Sequence, residues 1–244
     1  MTRGAQAYGE ASYWDQRYKQ DSGPFDWYQQ FSGLSSLLQK YVPKDSHVLM
    51  VGCGNAVLSE DMVKDGYQQI TNIDISSVVI EAMQKKYKDT SQLKYITMDV
   101  RDMSPFADHE FDFVIDKGML DSLMCGSSAY LSAAKMLEEV RRVLKPGGGY
   151  MLITYGDPRS RMPHLKTHDS NSWTVSLHVL PKPGSKRALE TCTWEVAKPI
   201  PLTDEGSTMG FLFDDPDLHY VYVCQKAQES GKPASKGGKH GKNK

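Results

Sequence analysis

Five short stretches of this 244-residue chain place residue types that could act together. The first is Val51-Gly52-Cys53-Gly54-Asn55. A glycine pair behind an apolar run lets a ligand approach bare backbone, and a helix opening just after it offers unpaired N–H groups to an anion. A dinucleotide fingerprint would need another glycine three residues after Gly54; Val57 stands there, which weakens a pyrophosphate reading. The second stretch is TNIDIS, where Asp74 falls 22 residues after Gly52 and can accept hydrogen bonds from both hydroxyls of a ribose. The third is ITMDVRD, where Asp99, or the Asp99–Val100 backbone, could reach the amino edge of an adenine. The fourth is FVIDKG, with Asp116 and Lys117 adjacent, and the fifth is MLDSL, with Asp121. Any one of these acids would serve equally as a helix cap or a turn residue. Three of them in order at the ends of successive strands, behind a glycine loop, point to a ligand edge.

Two other groupings carry less. His164 and His168 stand four apart beside Asp169, a spacing that shares a metal on a helix, but Pro163 and the polar context predict a loop and no metal. Cys53, Cys125, Cys192 and Cys224 lie far apart with no Cys-x-x-Cys pair, which disfavours a zinc ribbon or a disulfide scaffold and favours a reduced, intracellular protein.

The elements that must position these residues alternate. Strands are predicted over His47–Val51, Gln69–Ile75, Leu93–Val100, Phe111–Asp116 and Tyr150–Tyr155, short and rich in Val, Ile and Leu. Runs such as HVLMVG suit strands buried on both faces, as in a parallel sheet. Between them, helices are predicted over Leu58–Asp65, Ser76–Tyr87 and Tyr130–Leu144, the last ended by Pro146 and Gly147–Gly149. Two helices, Ala11–Tyr18 and Phe31–Tyr41, precede the first strand. Strand-like runs at Trp173–Leu180, Thr191–Val196 and His219–Lys226 follow without full helices between them, which predicts an antiparallel edge. The fold class is therefore α/β, doubly wound and mostly parallel.

The segments VLMVGCGN, NIDIS, MDVRDM, FDFVIDKG and LKPGGGYMLITY, in this order over about residues 47–155, resemble the class I S-adenosylmethionine-dependent methyltransferases. That resemblance implies a seven-stranded Rossmann-like sheet with an antiparallel late strand. YWDQRY (Tyr13–Tyr18), FDWY (Phe25–Tyr28), GCGNAVLS, DISSVVI and DKGMLDSL are similar to the eukaryotic methyltransferase-like proteins that methylate lysine in translation elongation factor 1A. The resemblance implies a cytoplasmic protein-lysine N-methyltransferase using S-adenosyl-L-methionine. It places cofactor contacts at Trp14, Tyr18, Trp27, Gly52, Gly54, Asp74, Ile75, Asp99, Val100 and Lys117, with Lys117 as a cation for the cofactor carboxylate. The three aromatic residues would close a lid, and aromatic faces favour a sulfonium. Two positions depart from the family pattern: Ala56, where relatives often carry Ser, and Met119, in place of a common Thr beside the expected transfer site.

A lysine acceptor must lose its proton before it attacks, since the free amine has a pKa of ~10.4. Asp116 and Asp121 are the candidate catalytic acceptors of that proton. The residues after Ile115 read DKGM rather than the Asn/Asp-Pro-Pro-aromatic signature of adenine methylation. Two alternatives stay open. A small-molecule methyltransferase would build a closed acceptor pocket from the connection between Gly156 and Trp173, and a cofactor-binding scaffold would carry no activity.

Composition sets the frame. Hydrophobic residues make up 39% and charged residues 24%, ordinary for a globular chain with a sizeable core. No apolar run approaches the ~20 residues of a membrane helix. The net charge is −1, and the last 19 residues carry six Lys and one Glu, or +5, so residues 1–225 carry −6. No membrane association and no specific nucleic-acid binding are expected from this balance. The expected organisation is a single domain over 1–225 with an N-terminal helical lid at about 8–42, followed by a disordered Lys/Gly-rich tail over 226–244.

Overall fold

A computed structural model describes residues 7–126, 128–166, 173–185, 195–203, 207–208 and 217–228. Two helices, α1 (Ala11–Gln20) and α2 (Phe31–Tyr41), precede an alternation of β1 (His47–Val51), α3 (Leu58–Lys64), β2 (Gln69–Asp74), α4 (Ser77–Lys86), β3 (Leu93–Thr97) and β4 (Phe111–Lys117). Then come α5 (Met119–Met124), α6 (Ala129–Val143), β5 (Leu144–Thr154), α7 (Pro158–Leu165), β6 (Trp173–Pro181) and β7 (Leu218–Lys226). The strands form one seven-stranded sheet in the order β3-β2-β1-β4-β5-β7-β6. β1 to β5 pair in parallel, and β7 enters antiparallel between β5 and β6. The fold class expected from the sequence is the one observed.

Side chains alternate across the strands, and the core divides accordingly. Leu49, Val51 and Val114 pack on the face covered by α5, α6 and α7, with Leu137 and Leu165. Val48, Met50, Phe113 and Ile115 pack on the face covered by α2, α3 and α4, with Leu37, Met62 and Ile80. Burial on both faces is why β1 and β4 read as continuous apolar runs. The chain steps from β1 outward to β3 and returns to β4 beside β1. Strand order reverses there, at the carboxyl ends where open α/β sheets form a ligand crevice.

Three differences from the sequence expectation have physical reasons. The run LKPGGGY stops α6 as predicted, yet it already belongs to β5. A Cβ at Gly149 would lie 2.2 Å from the Phe113 ring, so the missing side chains let β5 close onto β4. The segment around Pro163, read as a loop, is helix α7. Asp157 caps it by accepting from the Ser160 N–H at 2.9 Å, and Pro158 takes the first position, where a missing N–H costs nothing. His164 sits on that helix with its ring 5.2 Å from Tyr130, while His168 and Asp169 lie outside the described residues. Of the strand expected at Thr191–Val196, residues 191–194 lie outside the described residues, and Glu195 and Val196 are not in a strand.

Candidate functional site

The cleft sits at the carboxyl ends of β1, β2 and β4, with the N-terminal segment across it. Its walls include Trp14, Tyr18, Trp27, Gly52, Gly54, Asp74, Ile75 and Lys117, enclosing about 990 Å³ of empty space, open solvent included. These residues come from separate stretches of the sequence, and the switch in strand order and the returning N-terminal segment bring them together.

The floor is the glycine loop. Gly52 and Gly54 have φ of 62° and 52°, a region that favours glycine. A Cβ at Gly52 would lie 2.6 Å from the Met119 sulfur, and one at Gly54 would lie 2.7 Å from the Tyr18 hydroxyl. Asp74 fixes the loop: its carboxylate accepts from the Gly54 N–H at 2.9 Å and from the Ser76 N–H at 3.0 Å. Burial pushes Asp74 up to about 6, opposed by those N–H donors. Each carboxylate oxygen has more than one acceptor site, so an anchored Asp74 retains capacity for hydroxyl donors in the cleft.

Asp99 and Val100 line an adjoining recess together with Ile75, Gly52, Asp74, Tyr8 and Gly9. Arg101 holds the Asp99 carboxylate at 2.7 to 3.0 Å and reaches the Gly9 carbonyl at 3.2 Å. Sequence reasoning passed over Arg101, although its spacing two residues after an acid was a usable signal.

Above the floor, Trp14 and Tyr18 stack at 5.9 Å. Asp15 of the same helix accepts from the Ser76 hydroxyl at 2.5 Å, which ties α1 to the start of α4. The FDWY stretch lies further along. The Asn55 side chain donates to the Gly23 carbonyl, and the Val57 N–H points to Asp26 at 3.4 Å.

Lys117 lines the cleft, but not as the cation expected for a ligand carboxylate. Its ammonium pairs with Asp26 at 3.0 Å and donates to the Trp27 carbonyl at 3.0 Å. Burial lowers its pKa, and Asp26 opposes that effect. This buried pair clasps the FDWY stretch to the end of β4. Asp26 was missed because a lone acid in a loop carries no spacing signal.

The two candidate proton acceptors are both committed elsewhere. Asp116 is fully buried and accepts from the Met119 N–H at 2.7 Å, the Leu120 N–H at 3.1 Å and the Tyr150 hydroxyl at 2.8 Å. It caps α5 from beneath rather than facing the cleft, and burial pushes it up to about 7. Asp121 is buried in an ion pair with Arg161 at 2.7 Å and accepts from the Thr154 hydroxyl at 2.5 Å. Asp116 thus anchors the start of α5 and Asp121 is half of a buried pair, and neither is among the residues that line the cleft.

A family model described as a methyltransferase domain matches residues 49–152, the span from β1 to β5 that builds the cleft floor. This match and the observed fold support a class I S-adenosylmethionine-dependent methyltransferase. It is 36% identical over 167 residues to the mouse protein named EEF1A lysine methyltransferase 4, covering 64% of this chain and 65% of that one. It is 30% identical over 258 residues to the mouse eEF1A lysine and N-terminal methyltransferase, covering 93% of this chain and 36% of that one. The chain thus spans about two-thirds or less of the length of the curated relatives it matches. Among solved structures, a SAM-dependent methyltransferase from Methanosarcina mazei superposes with a TM-score of 0.56 at 18% identity, covering 84% of this chain and 100% of that one, a likeness of fold.

The residues present fit S-adenosylmethionine. Cβ-free loop positions leave room at the floor, and a buried acid with spare acceptor capacity stands at the end of β2. Aromatic faces suit a sulfonium, which is a cation. Among the described residues, no helix is long and apolar enough to cross a membrane.

Proposed function

We propose that this methyltransferase acts on protein lysine, with translation elongation factor 1A as its substrate in the cytoplasm. The observation that carries the reading is the N-terminal segment: Trp14, Tyr18 and Trp27 reach back across the cleft floored by Gly52, Gly54 and Asp74. YWDQRY and FDWY, the stretches that resemble elongation factor 1A methyltransferases, form this lid. Two mouse relatives named for that substrate support the assignment. The acceptor side also suits a residue on a macromolecule. Trp27 is 46% exposed and Tyr155 is 53% exposed, so the rim is reachable from a protein surface.

S-adenosylmethionine supplies an electrophilic methyl group when bound. Asp74 is proposed to hold the ribose hydroxyls, and Asp99 with Val100 the adenine edge. Ile75 forms the wall between these two places. Trp14, Tyr18 and Trp27 exclude water from above, so the chain contributes chiefly orientation and a dry cleft. With Asp116 and Asp121 both committed, the acceptor amine gives up its proton to solvent before transfer. Desolvation at the aromatic rim favours the neutral amine.

The test is a transfer assay. Purified protein is incubated with methyl-labelled S-adenosylmethionine and a eukaryotic lysate, and labelled bands are identified. A labelled elongation factor 1A with the label on lysine is the expected result. Label confined to small molecules would overturn the substrate. In the same assay Asp74→Ala should lose at least tenfold in cofactor affinity by calorimetry, since about 1.5–3 kcal/mol attaches to each hydrogen bond with a charged group.

A further inference from the structure

Arg101 stands where two walls of a recess meet. Asp99, Val100 and Arg101 line the recess from the stretch after β3, and Tyr8 and Gly9 line it from the N-terminal segment. The recess shares Gly52, Asp74, Ile75 and Met119 with the main cleft, so the two spaces adjoin. The Met98 N–H donates to the Asp74 carbonyl at 2.9 Å, which sets the residues after β3 beside the end of β2.

Arg101 grips Asp99 from both its backbone and its side chain. Its backbone N–H donates to Asp99 Oδ1 at 2.9 Å. Nε donates to Oδ1 at 2.9 Å and Oδ2 at 3.0 Å, and Nη2 to Oδ2 at 2.7 Å. A planar guanidinium fork holds a carboxylate in one direction, which a point-like ammonium cannot do. Nη2 also donates to the Gly9 carbonyl at 3.2 Å. The preceding carbonyl, of Tyr8, accepts from the Trp14 indole N–H at 2.7 Å. Arg101 and Trp14 thus fix the two residues of the N-terminal wall.

The pair does little for the fold itself. Its partners are two residues apart and partly exposed, at 27% and 34%, and such ion pairs contribute little to stability. What it fixes is the direction of a ligand-facing acid. Three N–H groups of Arg101 occupy a carboxylate that offers roughly four acceptor sites, which leaves one for a ligand. An ionised carboxylate has no hydrogen to give, so that site takes an N–H and repels a carbonyl oxygen. Adenine carries an exocyclic amino group where hypoxanthine carries a carbonyl.

We infer that Arg101 is the positioning residue for base selection: it holds Asp99 as a fixed acceptor, so that the recess takes the amino edge of adenine and rejects a base with a carbonyl at that place. Arg101 acts through Asp99. This role rests on Asp99 as the adenine contact of the proposed function and adds the residue that gives the contact its direction.

The test is calorimetry on the full chain with two probes, S-adenosylhomocysteine and its hypoxanthine counterpart S-inosylhomocysteine. Wild type should prefer the adenine probe by about tenfold or more, the lower end for a hydrogen bond to a charged group. Arg101→Met keeps the stem and removes the donors. It should weaken the adenine probe and leave the hypoxanthine probe unchanged, so that the preference falls severalfold while the melting temperature holds. A preference equal to that of wild type would overturn this role and leave Asp99 as the adenine contact. A parallel weakening of both probes would also overturn it, by making Arg101 a support of the wall alone. No preference in wild type would overturn both the role and the adenine reading of Asp99. Arg101→Lys is the second variant, with the charge kept and the fork lost. An intermediate preference is expected, and a wild-type one would show that charge without direction suffices. In an Asp99→Ala background, Arg101→Met should change the preference no further. A further change there would show that Arg101 meets the base directly, against a role through Asp99.

Discussion

Asp116 and Asp121 stand five residues apart and were read from the sequence as the same kind of group, yet their surroundings give them different work. Asp116 is sealed under α5 and raised to about 7 by burial. Its folded-state pKa lies above the unfolded value of ~3.9, so the folded protein holds this proton more tightly. The resulting stabilisation is complete below the unfolded pKa and is lost as pH rises through about 7. Asp116→Asn has no proton to lose at this position. The stability advantage of wild type over Asp116→Asn, from guanidinium unfolding at pH 5, 6, 7 and 8, should therefore shrink as pH rises. An advantage that grows with pH would show that the charged carboxylate is the form the fold prefers. At this scale the sequence was legible where spacing carried the signal. Gly52, Gly54 and Asp74 are recognisable because a glycine loop and an acid at the next strand end define a place for a nucleoside. Asp26 and Arg161 were not, because each depends on a partner far away in the chain, and composition holds no trace of such pairs.

The N-terminal segment works as an element through its clasp on β4. Lys117 and Asp26 are both almost wholly buried, with side-chain exposures of 6% and 8%. Removing one partner of a buried pair leaves an uncompensated charge, which typically costs about 3–5 kcal/mol. Asp26→Ala should lose stability on that order in denaturant unfolding. The double change Asp26→Leu with Lys117→Met should recover most of it, since apolar replacement of both partners is often neutral. A single variant within about 0.5 kcal/mol of wild type would mean that the clasp contributes little, as exposed pairs do. Most elements were visible beforehand. β1 matched residue for residue, as did α2, because apolar periodicity and flanking polar residues mark them directly. The short helix α5 and helix α7 were not expected. Met119–Met124 is too brief for a period to emerge, and Pro163 inside α7 argues against a helix on local rules.

For the whole molecule, the question is where the ordered body ends. The boundary drawn at Gln225 falls inside β7, which continues to Lys226. The Lys226 ammonium donates to the carbonyls of Arg141 and Leu144, each at 2.6 Å, and the Gly147 N–H meets the Ala227 carbonyl at 3.4 Å. We propose that the body extends to about Gln228 and that the Lys- and Gly-rich residues beyond it add nothing to stability. Truncation after Gln228 should leave the melting temperature unchanged, while truncation after Gln225 should lower it. Equal effects from the two would return the boundary to Gln225, and a fall from the first would show that the Lys-rich segment is docked. The last strand contacts were not legible beforehand, because a single Lys reaching helix-end carbonyls has no pattern in the sequence.

The direction of synthesis gives the Gln29 contacts a further meaning. Gln29 is fixed by Pro181 and His219, residues that the ribosome adds more than 150 positions later. The stretch around Gln29 therefore leaves the exit tunnel early and waits for β6 and β7 before it can settle. That stretch, made early in this chain, is among the last parts to find its place.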